Sequence, residues 1–216
     1  IYGWQDLDHF EINASTGSLK FKYAPNFEKP RDHDTDNKFG IVLRVSDGKA
    51  HQDQPLYIYV DNQNEPPFDL NTTASLQVLE NQPVGTMVGK LTAKDQDGGE
   101  HLIYSLVRDR DPIANEFFTL DENGTLRTAE VLDYEKNSSL FIRARVTDKG
   151  GLLTKNGFVI EVINVVEDND QDGVEDHYDL DDDNDGFSDA EELTYGSDPM
   201  DPNSVANAAP DSLELN

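Results

Sequence analysis

The chain has 216 residues, of which 36% are hydrophobic, and its formal net charge at pH 7 is −27. This acidity argues against binding to nucleic acid or to anionic membrane surfaces, and no apolar run approaches the roughly 20 residues of a membrane span. The chain contains no cysteine and therefore no disulfide. Any small domain that needs a cross-link for stability must use a bound metal ion instead. No signal peptide opens the sequence, which favours an internal piece of a longer precursor.

The first 65 residues alternate apolar and polar side chains in the manner of strands. Turn residues separate these segments, for example Ser15-Thr16-Gly17 and Ser46-Asp47-Gly48. The predicted strands span residues 10–12, 19–21, 41–45 and 56–60.

Residues 67–166 repeat this organisation at greater length. The predicted strands span residues 75–79, 87–91, 102–106, 117–120, 125–127, 140–146 and 158–162. Short strands at this spacing predict an antiparallel β-sandwich. The first helix is predicted over residues 188–194, where Ser188-Asp189 opens the pattern and Gly196 closes it.

The two β segments share motifs in the same order. Thr16-Gly17-Ser18-Leu19 corresponds to Asn123-Gly124-Thr125-Leu126, and Arg44-Val45-Ser46-Asp47-Gly48 corresponds to Arg145-Val146-Thr147-Asp148-Lys149-Gly150. With Ala93-Lys94-Asp95-Gln96-Asp97 and Leu132-Asp133-Tyr134-Glu135, these motifs resemble bacterial cadherin repeats. The resemblance implies an all-β chain of tandem cadherin-like Greek-key β-sandwiches, with a complete repeat over 66–167 and a partial one over 1–65.

The partial repeat should lack its first two strands, because Ile1-Tyr2-Gly3 corresponds to Ile103-Tyr104-Ser105. Half a sandwich exposes strand edges and an apolar face, so the missing strands should come from upstream chain or from a neighbouring subunit. Residues 205–216 are expected to be a linker or the start of a further repeat. The apolar side chains expected to be partly exposed to solvent are Ile12, Leu19, Phe21, Val42 and Leu43.

An acidic run follows the second β segment and fits a twelve-residue calcium loop twice. Such a loop uses side-chain oxygens at positions 1, 3, 5, 9 and 12, a backbone carbonyl at 7 and glycine at 6. The first loop supplies Asp168, Asp170, Asp172, the Val174 carbonyl, Asp176 and Asp179; the second supplies Asp181, Asp183, Asp185, the Phe187 carbonyl, Asp189 and Glu192. Asp198 is a further candidate ligand of the same segment.

Two other interpretations of this run are weaker. A run of like charges usually indicates a solvated, disordered tail. Such a tail does not need apolar residues such as Val174 and Phe187, or glycines at regular spacing, and this run has both. A dockerin also has two such loops, but each is followed by a helix of about ten residues, whereas Leu180 alone separates the loops here. Residues 168–204 resemble thrombospondin type 3 repeats, which predicts an irregular aspartate-rich segment with one short helix.

The cadherin resemblance also implies calcium at the joints between repeats. For the joint after residue 65, it nominates Glu28, Asn64, Glu65, Asp95, Asp97 and Asp148. Asn26 stands where the motif usually has Asp, and the Glu expected in the first turn of the partial repeat is not in the chain. One or two ions are therefore expected at this joint instead of the usual three. For the joint after the complete repeat, it nominates Glu80, Asp133, Glu135 and Glu167.

No catalytic constellation is present in the sequence, and the chain is therefore not expected to be an enzyme. The sequence favours a calcium-rigidified segment of a secreted or surface adhesin or filament, because calcium is abundant outside cells. Its partners would be calcium, further copies or repeats, and a cell-surface protein or glycan. The alternative is a carbohydrate-binding or spacer module of a secreted polysaccharide-degrading enzyme.

Overall fold

A computed structural model describes residues 5–98, 101–107 and 114–204. Within them the chain forms twelve strands and one α-helix, which confirms the predicted all-β class. The fold divides into two compact units: the described parts of Ile1–Leu70, Thr92–Ile103 and Arg145–Lys155, and those of Asn71–Leu91, Tyr104–Ala144 and Asn156–Asn216. The segment Ile1-Tyr2-Gly3 and residues 205–216, on which two expectations rest, lie outside the described residues.

The first unit begins with two antiparallel hairpins. Strands β1 (Phe10–Ile12) and β2 (Leu19–Phe21) form one, and β3 (Lys38–Ser46) and β4 (His51–Tyr59) form the other. The second hairpin is longer than predicted because its register continues from Lys38↔Tyr59 to Ser46↔His51. A cross-strand salt bridge stabilises the polar end of this hairpin, where the Arg44 Nε lies 2.7 Å from Asp53 Oδ1.

A small aromatic core supports these hairpins. Phe10, Phe39 and Ile41 are buried, and the Phe21 ring lies 4.4 Å from the Phe10 ring and 5.2 Å from the Phe39 ring. The five side chains that were expected to be partly bare are all half-buried or exposed, including Ile12 at 36% exposure.

Residues 68–163 carry the strands of the complete sandwich. In chain order they are β5 (Phe68–Thr72), β6 (Leu76–Leu79), β7 (Met87–Lys94), β8 (Ile103–Leu106), β9 (Phe118–Leu120), β10 (Thr125–Thr128), β11 (Ser139–Thr147) and β12 (Leu153–Ile163). One sheet has the order β5-β7-β10-β9 and the other β6-β12-β11-β8.

Two features of this sandwich differ from the sequence expectation. Strand β5 was not predicted, because Asp69 and Asn71 are unfavourable in strands. It forms by pairing with β7 and is irregular at Asp69, whose φ is 57°. Strand β6 pairs with β12 in parallel, from Leu76↔Ile160 to Leu79↔Ile163, within a sandwich expected to be antiparallel.

The apolar side chains of the sandwich follow the period of two that strands require. In β11, Leu140, Ile142, Ala144 and Val146 are buried, whereas the residues between them are half-buried or exposed. Leu91, Leu126, Ile142 and Ile160 are completely buried. Burial of these apolar side chains therefore stabilises the domain.

Residues 164–204 are irregular except for helix α1 (Asp189–Tyr195), as predicted. The Ser188 hydroxyl donates to Glu191 Oε2 at 2.8 Å before the first turn, and Gly196 ends the helix with a φ of 80°. Among the described residues, no helix is both long and apolar enough to span a membrane.

Candidate calcium-binding sites

The second acidic loop gathers its first three acids around one point. Carboxylate oxygens of Asp181, Asp183 and Asp185 all lie within 4.8 Å of one another. The backbone fixes them there, because the Gly186 N–H donates to Asp181 Oδ2 at 3.0 Å and the Asp185 N–H donates to Asp183 Oδ1 at 3.0 Å. Gly186 has a φ of 96°, a conformation that glycine adopts without strain.

Glu192, the twelfth residue of this loop, is completely buried in helix α1. Neither of its carboxylate oxygens accepts a hydrogen bond from the described residues, and the same holds for Asp183 Oδ2 and Asp185 Oδ2. Burial raises the pKa of Glu192, the neighbouring Ser197 hydroxyl partly offsets this effect, and the charges of Asp183, Asp185 and Asp189 raise the pKa further. A buried carboxylate without donors is costly, so this arrangement fits a hard cation bound among these oxygens.

The first acidic loop repeats the same geometry. Carboxylate oxygens of Asp168, Asp170 and Asp172 also lie within 4.8 Å of one another, and Asp168 Oδ1 is buried without a donor. The Gly173 N–H donates to Asp168 Oδ2 at 3.2 Å, as Gly186 does in the second loop. This loop therefore also fits a hard cation.

Three of the later acids in the two loops accept hydrogen bonds from backbone N–H groups. Asp176 Oδ1 accepts the Asn169 N–H at 2.7 Å, and Asp189 Oδ1 accepts the Asp182 N–H at 3.0 Å. Asp179 Oδ1 accepts the N–H groups of Leu180 and Asp181. The structure does not gather these three acids with positions 1, 3 and 5, and their roles as ligands remain predictions, as do those of Asp198 and the Val174 and Phe187 carbonyls.

In the first unit, a separate group lies at the linker that precedes β5. Carboxylate oxygens of Glu28, Glu65 and Asp97 lie within 4.8 Å of one another. Buried oxygens of Glu28, Glu65 and Asp95 have no donor among the described residues. Burial raises the pKa of Glu65, and the charges of Glu28, Asp97 and Asp95 add to this effect. Three of the six nominated residues therefore gather their carboxylates, and Asp95, whose charge also acts on Glu65, carries a further unsatisfied oxygen.

The other two nominated residues of this joint bind each other. The Asn64 side-chain amide donates to Asp148 Oδ2 at 2.9 Å, while the Leu152 N–H donates to Asp148 Oδ1 at 2.8 Å. Gly150 is needed beside them, because a Cβ atom there would lie 2.7 Å from the Asn64 side chain. Asp148 is 4% exposed but fully hydrogen-bonded, and its role as a ligand remains a prediction.

In the second unit, the acids nominated for the joint after the complete repeat accept more hydrogen bonds from the protein itself. Oxygens of Glu80, Asp133 and Glu135 lie within 4.8 Å, but both Glu80 oxygens accept backbone N–H groups, from Tyr134 at 2.6 Å and Val165 at 2.7 Å. The Lys136 ammonium lowers the pKa of Asp133. Burial raises the pKa of Glu135. Glu167, the fourth nominated residue, accepts from the Asn81 amide. This group fits a cation less well than the acidic loops.

A fifth group, Asp32, Asp34 and Asp36, lies in the turn before β3. Both Asp32 oxygens accept backbone N–H groups, from Asp36 at 2.7 Å and Asn37 at 3.2 Å. Hydrogen bonding within the turn accounts for the position of Asp32, whose oxygens are both satisfied by the protein itself. This group therefore also fits a cation less well than the acidic loops.

One buried acid of the segment, Asp182, was not predicted from the sequence as a ligand. It is 8% exposed, and its Oδ1 has no donor among the described residues. Burial, followed by the charges of Asp189, Asp176, Asp179 and Asp170, raises its pKa to about 6. The twelve-residue spacing assigns no ligand to the second position, so spacing alone could not reveal it.

We expect calcium binding by the acidic loops to weaken by roughly tenfold between pH 7.5 and 5.5, because carboxylates must lose their protons to bind a metal. The pKa values of Asp183 and Glu192 are raised, and protons therefore compete at a pH where ordinary carboxylates stay charged. Without calcium the sign reverses: a raised pKa means that the folded state binds the proton more tightly, so its stability increases as the pH falls. Calorimetric titration at both pH values tests the first effect, and an unchanged affinity would contradict it.

Comparison with known families identifies two parts of the chain. Residues 74–165 match the cadherin domain, and residues 181–202 match the bacterial TSP3 repeat. These two matches confirm the resemblance found in the motifs of residues 66–167 and 168–204. Cadherin domains are calcium-binding adhesion modules of extracellular or cell-surface proteins.

The curated relatives that the chain matches are much longer than the chain itself. Cadherin-related hmr-1 of Caenorhabditis elegans is 30% identical over 134 residues, which is 62% of this chain and 4% of that protein. Human protocadherin alpha-11 is 30% identical over 152 residues, which is 66% of this chain and 16% of that protein. The chain spans between 4% and 18% of such relatives.

Solved structures show the same fold. Human protocadherin-24 EC1-2 superposes with a TM-score of 0.56 at 21% identity, covering 76% of this chain and 80% of that chain. Mouse protocadherin-24 EC1-3 superposes with a TM-score of 0.53 at 25% identity, covering 76% of this chain and 55% of that chain.

Proposed function

We propose that this chain is a calcium-binding, calcium-rigidified segment of a long secreted or surface adhesin or filament protein that attaches cells to each other or to matrix. The observation that carries the proposal is the set of buried carboxylate oxygens without donors at nominated ligand positions, including Glu65, Asp183 and Glu192. Surface charge alone does not account for them, because burying an unpaired charged oxygen is costly.

The proposed mechanism assigns a distinct task to each part. The cadherin repeat over 66–167 is a folded spacer whose shape does not depend on metal. At the linker, the Glu65 N–H and the Asn62 side-chain amide donate to Asp97, both at 3.0 Å. These hydrogen bonds hold the linker beside the acids that would bind the same ion. When bound, calcium neutralises these carboxylates and fixes the backbone that carries them. In the same way, calcium bound by the loops over 168–204 would neutralise their carboxylates and fix their backbone.

The proposed partners are other copies of the chain or neighbouring repeats, and a cell-surface protein or glycan. We assign no catalytic role to any residue, because the grouped acids are accounted for as ligands of a hard cation. The proposed location is extracellular, where calcium is at the concentration that weak sites of this kind need.

Glu65→Gln is expected to weaken calcium binding at the linker and to increase the flexibility of the chain in calcium. The substitution removes a carboxylate that shares its site with Glu28 and Asp97, and its size is nearly unchanged. Small-angle scattering with calcium should give a broader range of dimensions for this variant than for the wild type, approaching the profile after chelation.

Glu122→Gln is the matched control, because Glu122 is exposed and belongs to none of the described acid groups. The control should scatter like the wild type. Identical profiles for wild type with calcium, wild type after chelation and Glu65→Gln would refute calcium-dependent stiffening.

A further inference from the structure

The longer hairpin of the first unit carries a cavity on the face that points away from its aromatic core. In β3, Phe39 and Ile41 are buried in that core, and the residues that alternate with them lie on the opposite face of the strand. Lys38, Gly40 and Tyr57 lie on this face and line a cavity of about 360 Å³. A cavity of this volume can hold a small ligand.

Gly40 leaves open space beside Tyr57. The two residues are direct cross-strand partners, and side chains at such positions are close neighbours on one face of a sheet. Because Gly40 has no side chain, the Tyr57 ring borders the cavity and stays 45% exposed. Tyr59, two residues further along the same face, is also exposed. Two aromatic rings therefore form an accessible platform next to the cavity.

Two buried carboxylates fix the turn that supplies much of the polar lining. Asp6 is buried; its Oδ1 accepts the His33 N–H and its Oδ2 accepts the Gly40 N–H, both at 2.8 Å. Asp32 is buried in the turn itself, and its Oδ2 accepts the Asp36 N–H at 2.7 Å. The turn is therefore anchored to β3 before any ligand binds, which lowers the entropic cost of binding.

The polar lining offers hydrogen-bond donors and acceptors together. The Lys38 ammonium lies 4.5 Å from the centre of the Tyr57 ring and 5.9 Å from that of the Tyr59 ring, and it supplies donors only. Carboxylates supply acceptors, whereas a side-chain amide and a neutral imidazole supply both. The polar side chains of the lining are Gln5, His33, Asp34, Asp36 and Lys38.

This lining selects among classes of ligand. The carboxylates of Asp34 and Asp36 repel an anion, and the Lys38 ammonium repels a cation. A wholly apolar ligand would leave these polar groups without hydrogen bonds. A neutral sugar meets each requirement, because every hydroxyl can both donate and accept. The C–H groups on one face of a sugar ring also form an apolar surface that packs against an aromatic ring.

We propose that this cavity binds a neutral sugar ring of a cell-surface glycan, with the ring packed against Tyr57 and its hydroxyls hydrogen-bonded to the polar lining. The inference rests on the proposed attachment function and specifies the chemistry of the partner. None of the lining residues is a nominated calcium ligand. Sugar binding is therefore expected both in calcium and after chelation.

The test uses the full chain and saturation-transfer NMR with the methyl glycosides of glucose, galactose, mannose and N-acetylglucosamine. At least one of them should bind. The corresponding uronic acid glycoside should bind more weakly, because its carboxylate would meet Asp34 and Asp36.

Variants of one aromatic ring locate the bound sugar. Tyr57→Ala should weaken binding by about tenfold, because it removes the ring on which the sugar packs. Tyr57→Phe keeps the ring and should bind nearly as tightly as the wild type, which separates loss of the ring from a change of fold. Tyr23→Ala is the matched control, since Tyr23 is an exposed tyrosine of the same unit outside the lining. It should bind like the wild type.

The outcomes distinguish this inference from the proposed function. Absence of saturation transfer from all these glycosides, or equal affinity of Tyr57→Ala and the wild type, would overturn the inference. Sugar binding that disappears on chelation would also overturn it, since calcium would then hold the sugar. A wild type that binds sugar but no calcium would instead refute the calcium-rigidified segment and leave the sugar site standing.

Discussion

Removal of calcium is expected to abolish the hydrogen-exchange protection of residues 168–204 while the cadherin domain over 74–165 keeps its own. The acidic segment has no apolar core that would keep it folded without calcium, because Tyr178, Leu180 and Leu193 are each more than 70% exposed. Two like charges about 4 Å apart repel by roughly 4 kcal/mol at an effective dielectric of about 20, and this segment gathers three at each loop centre.

Hydrogen exchange measured by mass spectrometry, with calcium and after chelation, tests this expectation on the full chain. Glu192→Gln should weaken protection in calcium, because it removes a completely buried carboxylate of the second loop. Glu175→Gln, which removes a charge outside the described acid groups, should leave protection in place. Equal protection of residues 168–204 in both conditions would show that calcium does not order the segment.

Ile142→Ala is expected to destabilise the cadherin domain by about 2–5 kcal/mol, with or without calcium. Ile142 lies in β11 and is completely buried, so that the truncation leaves a cavity in the sandwich. Chemical denaturation followed by far-ultraviolet circular dichroism measures the change in the free energy of unfolding in both conditions.

Val159→Ala is the matched control, since Val159 is 57% exposed on the neighbouring strand β12. Its effect should lie within about 0.5 kcal/mol, as for other exposed positions. A loss for Ile142→Ala that occurs only after chelation would mean that the domain depends on metal and that its apolar core is insufficient.

The sequence by itself determined the features that local chemistry controls. Alternating side chains predicted eleven of the twelve strands, from Phe10–Ile12 to Leu153–Ile163, because burial on one face requires a period of two. Ser188 and Gly196 predicted the ends of α1, since capping depends on neighbouring residues alone. The spacing of acids and glycines predicted that the carboxylates at positions 1, 3 and 5 of each loop would lie together, because a loop of fixed length needs the same turns wherever it lies.

Tertiary structure decided what depends on residues distant in sequence. Strand β5 forms because β7 pairs with it, although Asp69 within it has a left-handed φ of 57°. Strand β6 runs parallel to β12 although an antiparallel sandwich was expected.

The same distinction governs the sites. Spacing could not say that backbone N–H groups would satisfy Glu80, or that Asn64 would bind Asp148 across 84 residues of sequence. It also could not identify Asp182, because the burial of a carboxylate is set by packing between loops, whereas spacing records only what one loop can do.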